Sequence, residues 1–281
     1  MARRLRPIAG LPNALASRGE LAARLGDRRP ALFLDYDGTL TPIVDRPEDA
    51  VISDSMRAAV RRLAERWPVC VVSGRDRRVL QELMGLSSLV VAGSHGFDIW
   101  SPEGGSIQRE EGRGLEGLLG AVRERLEAET ASIPGALVEP KSVSVAVHYR
   151  LVPEAERPRV RAIVSALLAE HPEELKVTPG KLVYEIQPKV DWDKGRAVLH
   201  LLGALGLDRE DVAPIYLGDD LTDEDAFRAL PERGIGVFVG SADDPEVGRR
   251  ETAADYVLGT VDEVERFLDM LTAGTAAGGS R

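Results

Sequence analysis

Ala31-Leu32-Phe33-Leu34-Asp35-Tyr36-Asp37-Gly38-Thr39-Leu40-Thr41 decides how the rest of this 281-residue chain is read. A short apolar run closed by a glycine-containing turn has the pattern of a buried strand. It ends in two carboxylates spaced i and i+2, which alternation places on one face of the strand. Two acids that close repel each other unless a cation sits between them or one holds a proton. Asp-Gly is also ordinary turn chemistry, but a turn has no use for a second acid two residues earlier, inside a buried strand. Open α/β folds bind ligands at strand ends beside a crevice. Asp35 and Asp37 therefore predict a divalent-metal site with one carboxylate free to act as a nucleophile.

Outward from this stretch, further strand-like runs cover Val69–Val72, Leu89–Ala92, Pro214–Leu217, Ile235–Val239 and Tyr256–Leu258. Helical patterns cover Ser53–Arg66, Arg77–Met84, Lys194–Leu205, Asp223–Leu230 and Asp262–Met270. Strands alternating with helices predict an α/β fold with a doubly wound, Rossmann-like parallel sheet. The middle of the chain breaks the rhythm: a helix over Gly112–Glu129, a strand or hairpin over Leu137–Arg150, a helix over Glu154–Ala169, and two strands in Leu175–Pro188 around Thr178-Pro179-Gly180. This reads as an inserted α+β cap. The expected division is a core of residues 28–111 and 189–272, a cap of 112–188, a lead-in of 1–27 with a helix at Ser17–Leu25, and a disordered tail of 273–281.

Three more segments carry chemistry. Ser73-Gly74-Arg75 follows an apolar strand; the serine could donate to a phosphoryl oxygen and Gly74 would let the backbone approach it, or Ser73 is merely a turn residue. Asp193-Lys194 opens a helix after the insertion, where Lys194 could neutralise a phosphate or a nucleophile; otherwise Asp193 is an N-cap and Lys194 a solvated charge. Gly218-Asp219-Asp220-Leu221-Thr222-Asp223-Glu224-Asp225 is a second acidic cluster at a strand end. Thr222 as N-cap with acids in the first helical turn would account for the last three. It leaves Asp219 and Asp220 as hard oxygen donors for Mg2+, Asp219 the better of the two.

The remaining composition narrows the partners. Apolar residues at 43% and charged residues at 29% describe an ordinary globular protein. A net charge of −10 argues against nucleic acid or an anionic membrane as partner. The single cysteine, Cys70, sits in an apolar run and reads as a core residue. No run approaches a membrane span and no signal-peptide pattern opens the chain, so the cytosol is the expected compartment.

The ordered set D-x-D-G-T, Ser, Lys and G-D-D resembles the haloacid dehalogenase superfamily of phosphatases. Leu34–Leu40, Val72-Ser73-Gly74-Arg75, Gly93-Ser94-His95-Gly96, Gly218–Glu224, Val145–Arg150 and Lys181–Ile186 resemble, more narrowly, its trehalose-6-phosphate phosphatase family. That resemblance implies an Mg2+-dependent phosphatase in which Asp35 is the nucleophile, Asp37 the acid–base, and Ser73 and Lys194 bind the transferring phosphoryl group. It implies Asp35, Asp37, Asp219, Asp220 and Asp223 around the metal. It implies Gly38, Thr39, Gly74, Arg75, His95, Lys141, His148, Arg150, Lys181 and Glu185 around a small sugar phosphate, in a monomer. Independently of the family, Val143, Val145, Val147 and Tyr149 alternate with Ser144, Ala146, His148 and Arg150. One apolar face and one hydrogen-bonding face suit either a sugar or open water; Lys141 carries the parity of the apolar face. Phosphatases for sucrose phosphate or mannosylglycerate phosphate, a phosphomutase of the same superfamily, and a phospho-aspartate receiver module are the competing readings. A receiver places its acidic pair and its phosphorylated Asp on different strands and has no inserted cap.

Overall fold

A computed structural model of the chain describes residues 3–44, 46–107, 115–141, 143–180, 182–189 and 192–274. The elements follow in order α1 (Arg18–Leu25), β1 (Arg29–Leu34), α2 (Asp54–Ala64), β2 (Val69–Val72), α3 (Arg77–Met84), β3 (Val90–Gly93), β4 (Asp98–Ser101) and β5 (Gly105–Ser106). Next come α4 (Leu115–Thr130), β6 (Leu137–Pro140), β7 (Val145–His148), α5 (Arg157–Glu170), β8 (Leu175–Gly180) and β9 (Val183–Pro188). The chain closes with α6 (Lys194–Ala204), β10 (Val212–Gly218), α7 (Asp223–Ala229), β11 (Ile235–Val239), β12 (Tyr256–Leu258) and α8 (Val261–Gly274). It divides into two units, Met1–Ile107 with Trp192–Arg281, and Gln108–Asp191.

In the first unit an eight-stranded sheet runs β12-β11-β10-β1-β2-β3-β4-β5. The first six are parallel, and β4 and β5 add an antiparallel hairpin. Successive residues of each strand bury into opposite layers, as period-2 geometry requires. Leu32, Leu34, Val71, Ile215 and Leu217 pack with α2, α3 and α8. Ala31, Phe33, Cys70, Val72 and Tyr216 pack with α6 and α7. Helix α2 buries Met56, Ala59, Val60 and Leu63, the i, i+3, i+4, i+7 stripe of an amphipathic helix. Its start is fixed by Ser53, whose Oγ accepts from the Met56 amide at 3.1 Å, a cap worth about 1 kcal/mol.

Strand β1 lies between β2 and β10, so connections leave it in both directions and a crevice opens at its carboxyl end. Register aligns the ends: Leu34 pairs with Leu217 on one side and Val71 on the other, and Val72 pairs with Ala92. Asp35, Ser73 and Asp219 thus leave the sheet at nearly one level.

The second unit is an antiparallel sheet in the order β6-β7-β9-β8. Val138, Val145, Val147, Val177 and Ile186 face α4 and α5, whose Leu119, Leu126, Val160 and Val164 complete a separate apolar cluster.

Several sequence readings shift. The β4–β5 hairpin was not foreseen, because a four-residue alternation beside a two-residue partner carries little periodic signal. Thr178-Pro179-Gly180 is not a turn: it pairs with Glu185, Tyr184 and Val183. Proline is tolerated there because β8 is an edge strand. Leu137–Arg150 holds two strands, Leu137–Pro140 and Val145–His148, with Pro140 paired to Val145, so the parity restarts between them. Lys141 continues the Leu137, Glu139 face and not the apolar one. Helix α8 runs on through Ala273 and Gly274; the rest of the expected tail lies outside the described residues.

Candidate active site

Backbone pairing carries β1 one residue past its formal end: the Asp35 amide donates to the Leu217 carbonyl at 2.9 Å. Asp35 is 4% exposed. Its Oδ1 accepts from Lys194 Nζ at 2.7 Å, and the same ammonium reaches Asp223 Oδ1 at 2.7 Å. Lys194 is 4% exposed and Asp223 fully buried, so the lysine at the start of α6 is no solvated charge. Asp193 does cap that helix, its Oδ1 accepting from the Arg196 amide at 2.8 Å.

Asp223 is a hub and not a dipole-complementing acid. Thr222 makes no side-chain cap. Asp223 Oδ1 accepts from Lys194 and from the Tyr216 hydroxyl at 2.5 Å. Its Oδ2 accepts from the Asp219 and Asp220 amides at 3.0 and 2.9 Å. The four acceptor positions of a carboxylate are thereby filled. Tyr216 was not singled out in the sequence, and its strand position, pointing away from solvent toward α7, gave only a core signal. Glu224 is likewise buried, accepting from the Ala253 amide at 2.9 Å.

Asp35, Asp219 and Asp223 each offer an oxygen within 4.8 Å of the others. With Asp223 saturated, Asp35 and Asp219 are the two carboxylates with coordinating capacity to spare. Burial pushes Asp35 well above the ordinary carboxylate range against the pull of Lys194. Burial, then Asp223, pushes Asp219 up to about 7. Burial alone would lower Lys194, but Asp35 and Asp223 outweigh it and hold the ammonium charged. With all three ionised, three carboxylates against one ammonium would leave two negative charges to be offset, and such hard oxygen donors suit a divalent cation. Gly38 makes room for the Asp219 carboxylate. Its φ is +76°, and a Cβ there would run into the Asp219 carboxylate.

The second carboxylate of the opening stretch goes elsewhere. Asp37 accepts from Arg75 Nε and Nη2, both at 2.6 Å, and Arg75 Nη1 donates to the Pro47 carbonyl at 2.7 Å. Asp220 turns toward its own helix start, Oδ1 accepting from the Leu221 amide at 2.6 Å. Thr39 is buried, and its Oγ1 has no hydrogen-bond partner. Ser73 is buried at the end of β2, its Oγ accepting from the Arg75 amide at 3.2 Å. A cavity of about 760 Å3 is lined by Asp35, Asp37, Gly38, Ser73, Gly74, Arg75, His95, Lys194, Asp219 and Asp220. All four segments read as chemical thus converge with the Gly93–Gly96 loop on one space.

In the second unit, Glu185 is half-buried and accepts from Ser144 Oγ at 2.7 Å and from Lys141 Nζ at 3.3 Å. Burial would raise its pKa, but these two donors hold it below the ordinary value. His148 Nε2 lies 2.7 Å from Glu139 Oε2, and Arg150 is exposed beyond β7. Lys181 lies outside the described residues. Register puts Glu139, Ala146, Glu185 and Thr178 in one row on the face opposite the apolar cluster. Glu139 escaped the sequence reading, where the E-x-K spacing was the available signal; Ser144 was placed on the hydrogen-bonding face without its partner Glu185.

The family model described as trehalose-phosphatase matches residues 33–262. Trehalose 6-phosphate phosphatase RA3 from Zea mays is 41% identical over 273 residues, covering 92% of this chain and 74% of that protein. The solved trehalose-6-phosphate phosphatase of Aspergillus fumigatus is 31% identical with a TM-score of 0.64, covering 94% of this chain and all of the other. A haloacid dehalogenase-like hydrolase from Bacteroides thetaiotaomicron, 18% identical with a TM-score of 0.55 over 87% of this chain and all of the other, shares the fold. Carboxylates, lysine and serine at the switch point of such a sheet, matched over most of the chain, place it in the trehalose-phosphatase family of phosphoric monoester hydrolases.

Proposed function

We propose that this chain hydrolyses trehalose 6-phosphate to trehalose and phosphate, with Mg2+ held by Asp35, Asp219 and the Asp37 carbonyl and steadied through Asp223. The observation that carries the reading is the buried Asp35–Lys194–Asp223 arrangement, with Asp219 alongside and two negative charges uncompensated. Bound Mg2+ would offset the repulsion between an anionic phosphate and an anionic nucleophile.

An Asp35 oxygen attacks phosphorus and the bond from phosphorus to the sugar oxygen breaks, giving an aspartyl-phosphate. Asp37 delivers its proton to the departing sugar oxygen, then takes one from the water that attacks the same phosphorus and frees Asp35. Ser73 Oγ–H and the Lys194 ammonium donate to the transferring phosphoryl oxygens. For Asp37 to serve, its bidentate hold on Arg75 has to loosen. Arg75, His95 and the Gly38–Thr39 and Gly74 backbone line the entry for the sugar. On the sheet of the second unit Lys141, His148, Arg150 and Glu185 would supply donors and acceptors for hydroxyl groups, with Lys181 added on the family resemblance alone.

We assign the reaction to the cytosol. Supporting this are the net charge of −10 and a single buried cysteine. No described helix is long and apolar enough to cross a membrane.

Phosphate release across a panel of sugar phosphates, with Mg2+ and with chelator, tests the proposal. Trehalose 6-phosphate is expected to lead the panel and chelator to stop turnover. Preference for sucrose phosphate or mannosylglycerate phosphate, or phosphate returned to sugar, would replace it.

A further inference from the structure

Ser94 and His95 both hold left-handed backbone, φ +50° and +57°, though neither is glycine. Such backbone is unfavourable and persists only where neighbours over-determine it. Here three hydrogen bonds do so. The Ser94 amide donates to the Arg75 carbonyl at 2.7 Å and the His95 amide to the Ser73 carbonyl at 2.7 Å. Trp192 Nε1–H donates to the His95 carbonyl at 3.1 Å. The first two tie the turn to the end of β2; the third ties it to the residue two before Lys194.

The indole is itself fixed. Phe97 packs on one side with ring centroids 6.0 Å apart, and His200 meets it edge-on, also at 6.0 Å. Gly96 allows the turn to press against α6, because a Cβ there would collide with Ala197. The outcome is a histidine ring wedged over Gly74: a Cβ at Gly74 would stand 2.8 Å from His95 Cε1 and Nε2. His95 and Gly74 both line the cavity that holds Asp35.

We propose that Trp192 is a positioning residue for substrate recognition: its indole N–H locks the left-handed turn, so that the His95 ring stands over Gly74 at the rim of the phosphate site. This rests on the sugar-phosphate reading above. Without the lock the turn relaxes toward right-handed or extended backbone, and the ring swings off Gly74 while Asp35, Lys194 and Asp223 stay where they are.

The test is Trp192→Phe, which keeps an aromatic ring between Phe97 and His200 and removes the N–H. With Mg2+, KM for trehalose 6-phosphate should rise about 5- to 20-fold, the scale of one lost hydrogen bond and its consequences, with kcat within about twofold. Turnover of p-nitrophenyl phosphate, which carries no sugar, should be unchanged. His95→Ala should raise KM for trehalose 6-phosphate by as much or more, and the double variant should be no worse than His95→Ala alone. With no substrate present, the His95 Cε1–H resonance should shift in Trp192→Phe. Among four histidines it is assigned by its loss in His95→Ala. Equal losses on both substrates, additive losses in the double variant, or an unmoved resonance would overturn the proposal. Should Trp192→Phe fail to fold, Trp192→His, which retains a ring N–H, should keep KM within about threefold of the unsubstituted enzyme. A rise as large as that of His95→Ala would overturn it. An unsubstituted enzyme inactive on trehalose 6-phosphate would instead sink the functional reading, and the resonance would still judge Trp192.

Discussion

The core crevice and the cap sheet both gather opposite charges, but in different media. Side chains of Lys194 and Asp35 are 4% and 5% exposed, whereas Lys141 and Glu185 are 33% and 29% exposed. Buried ions lose most of their hydration, so each depends on every partner it has. Half-exposed ions keep water as an alternative partner, so each contact counts for less. The core is therefore an interlocked device whose parts fail together. The cap face is a set of separable contacts that can be tuned one at a time.

The largest expected effect sharpens that contrast. Asp35→Asn should lower phosphate release by at least on the order of 10^4-fold, as loss of a covalent nucleophile does, while circular dichroism stays native. Asp37→Asn should cost on the order of 10²–10⁴-fold, and less with an aryl phosphate, whose leaving group needs no proton. A rate near that of the unsubstituted enzyme for either variant would remove the role assigned to it. Lys194→Ala strips both Asp35 and Asp223 of their shared cation, and a denaturant titration should show about 3–5 kcal/mol of lost stability. If Lys141→Ala costs as much, the distinction between the two regions breaks.

A pH experiment probes the same uncompensated charge. Asp219 titrates near 7 in the folded protein against 3.8 in the unfolded chain. The native state thus holds a proton that the unfolded state has released, so metal-free stability should fall as pH rises from about 4 to about 7, and Asp35, also raised by burial, acts in the same direction. Mg2+ should bind more tightly over the same rise and restore the loss. Thermal melts with and without the ion would check this, and a metal-free stability that climbs across the window would contradict it. Smallest of all, Glu185→Ala should weaken kcat/KM for trehalose 6-phosphate by about tenfold, the scale of one charge-assisted contact, and barely touch an aryl phosphate. Equal losses on both would make Glu185 a structural residue of the cap.

How far the sequence foretold this follows the same division. Strands at Val69–Val72, Ile235–Val239 and Tyr256–Leu258 and the helix at Arg77–Met84 lie where the apolar periods put them. Burial on both faces leaves little freedom in such segments. The acid pairs were legible because two carboxylates at a buried strand end are costly without a purpose. Less legible was what each carboxylate touches: Asp37 turned to Arg75, and Asp223 became the acceptor for four donors. Those outcomes depend on side chains 38 and 29 residues away in sequence, which no local pattern encodes. In the second unit, the pairing of Pro140 with Val145 puts Lys141 on the face of Glu139, a case of register deciding which side a residue faces.

One missing methyl group has a wide consequence. Because residue 38 is glycine, the carboxylate of Asp219 can lie where any other side chain would begin; on the metal reading proposed above, that is what lets this acid face the ion. On that reading, loading of the enzyme depends on a residue that would itself donate nothing to the ion. A chain altered at this position could reach its native shape and still be unable to take up the ion.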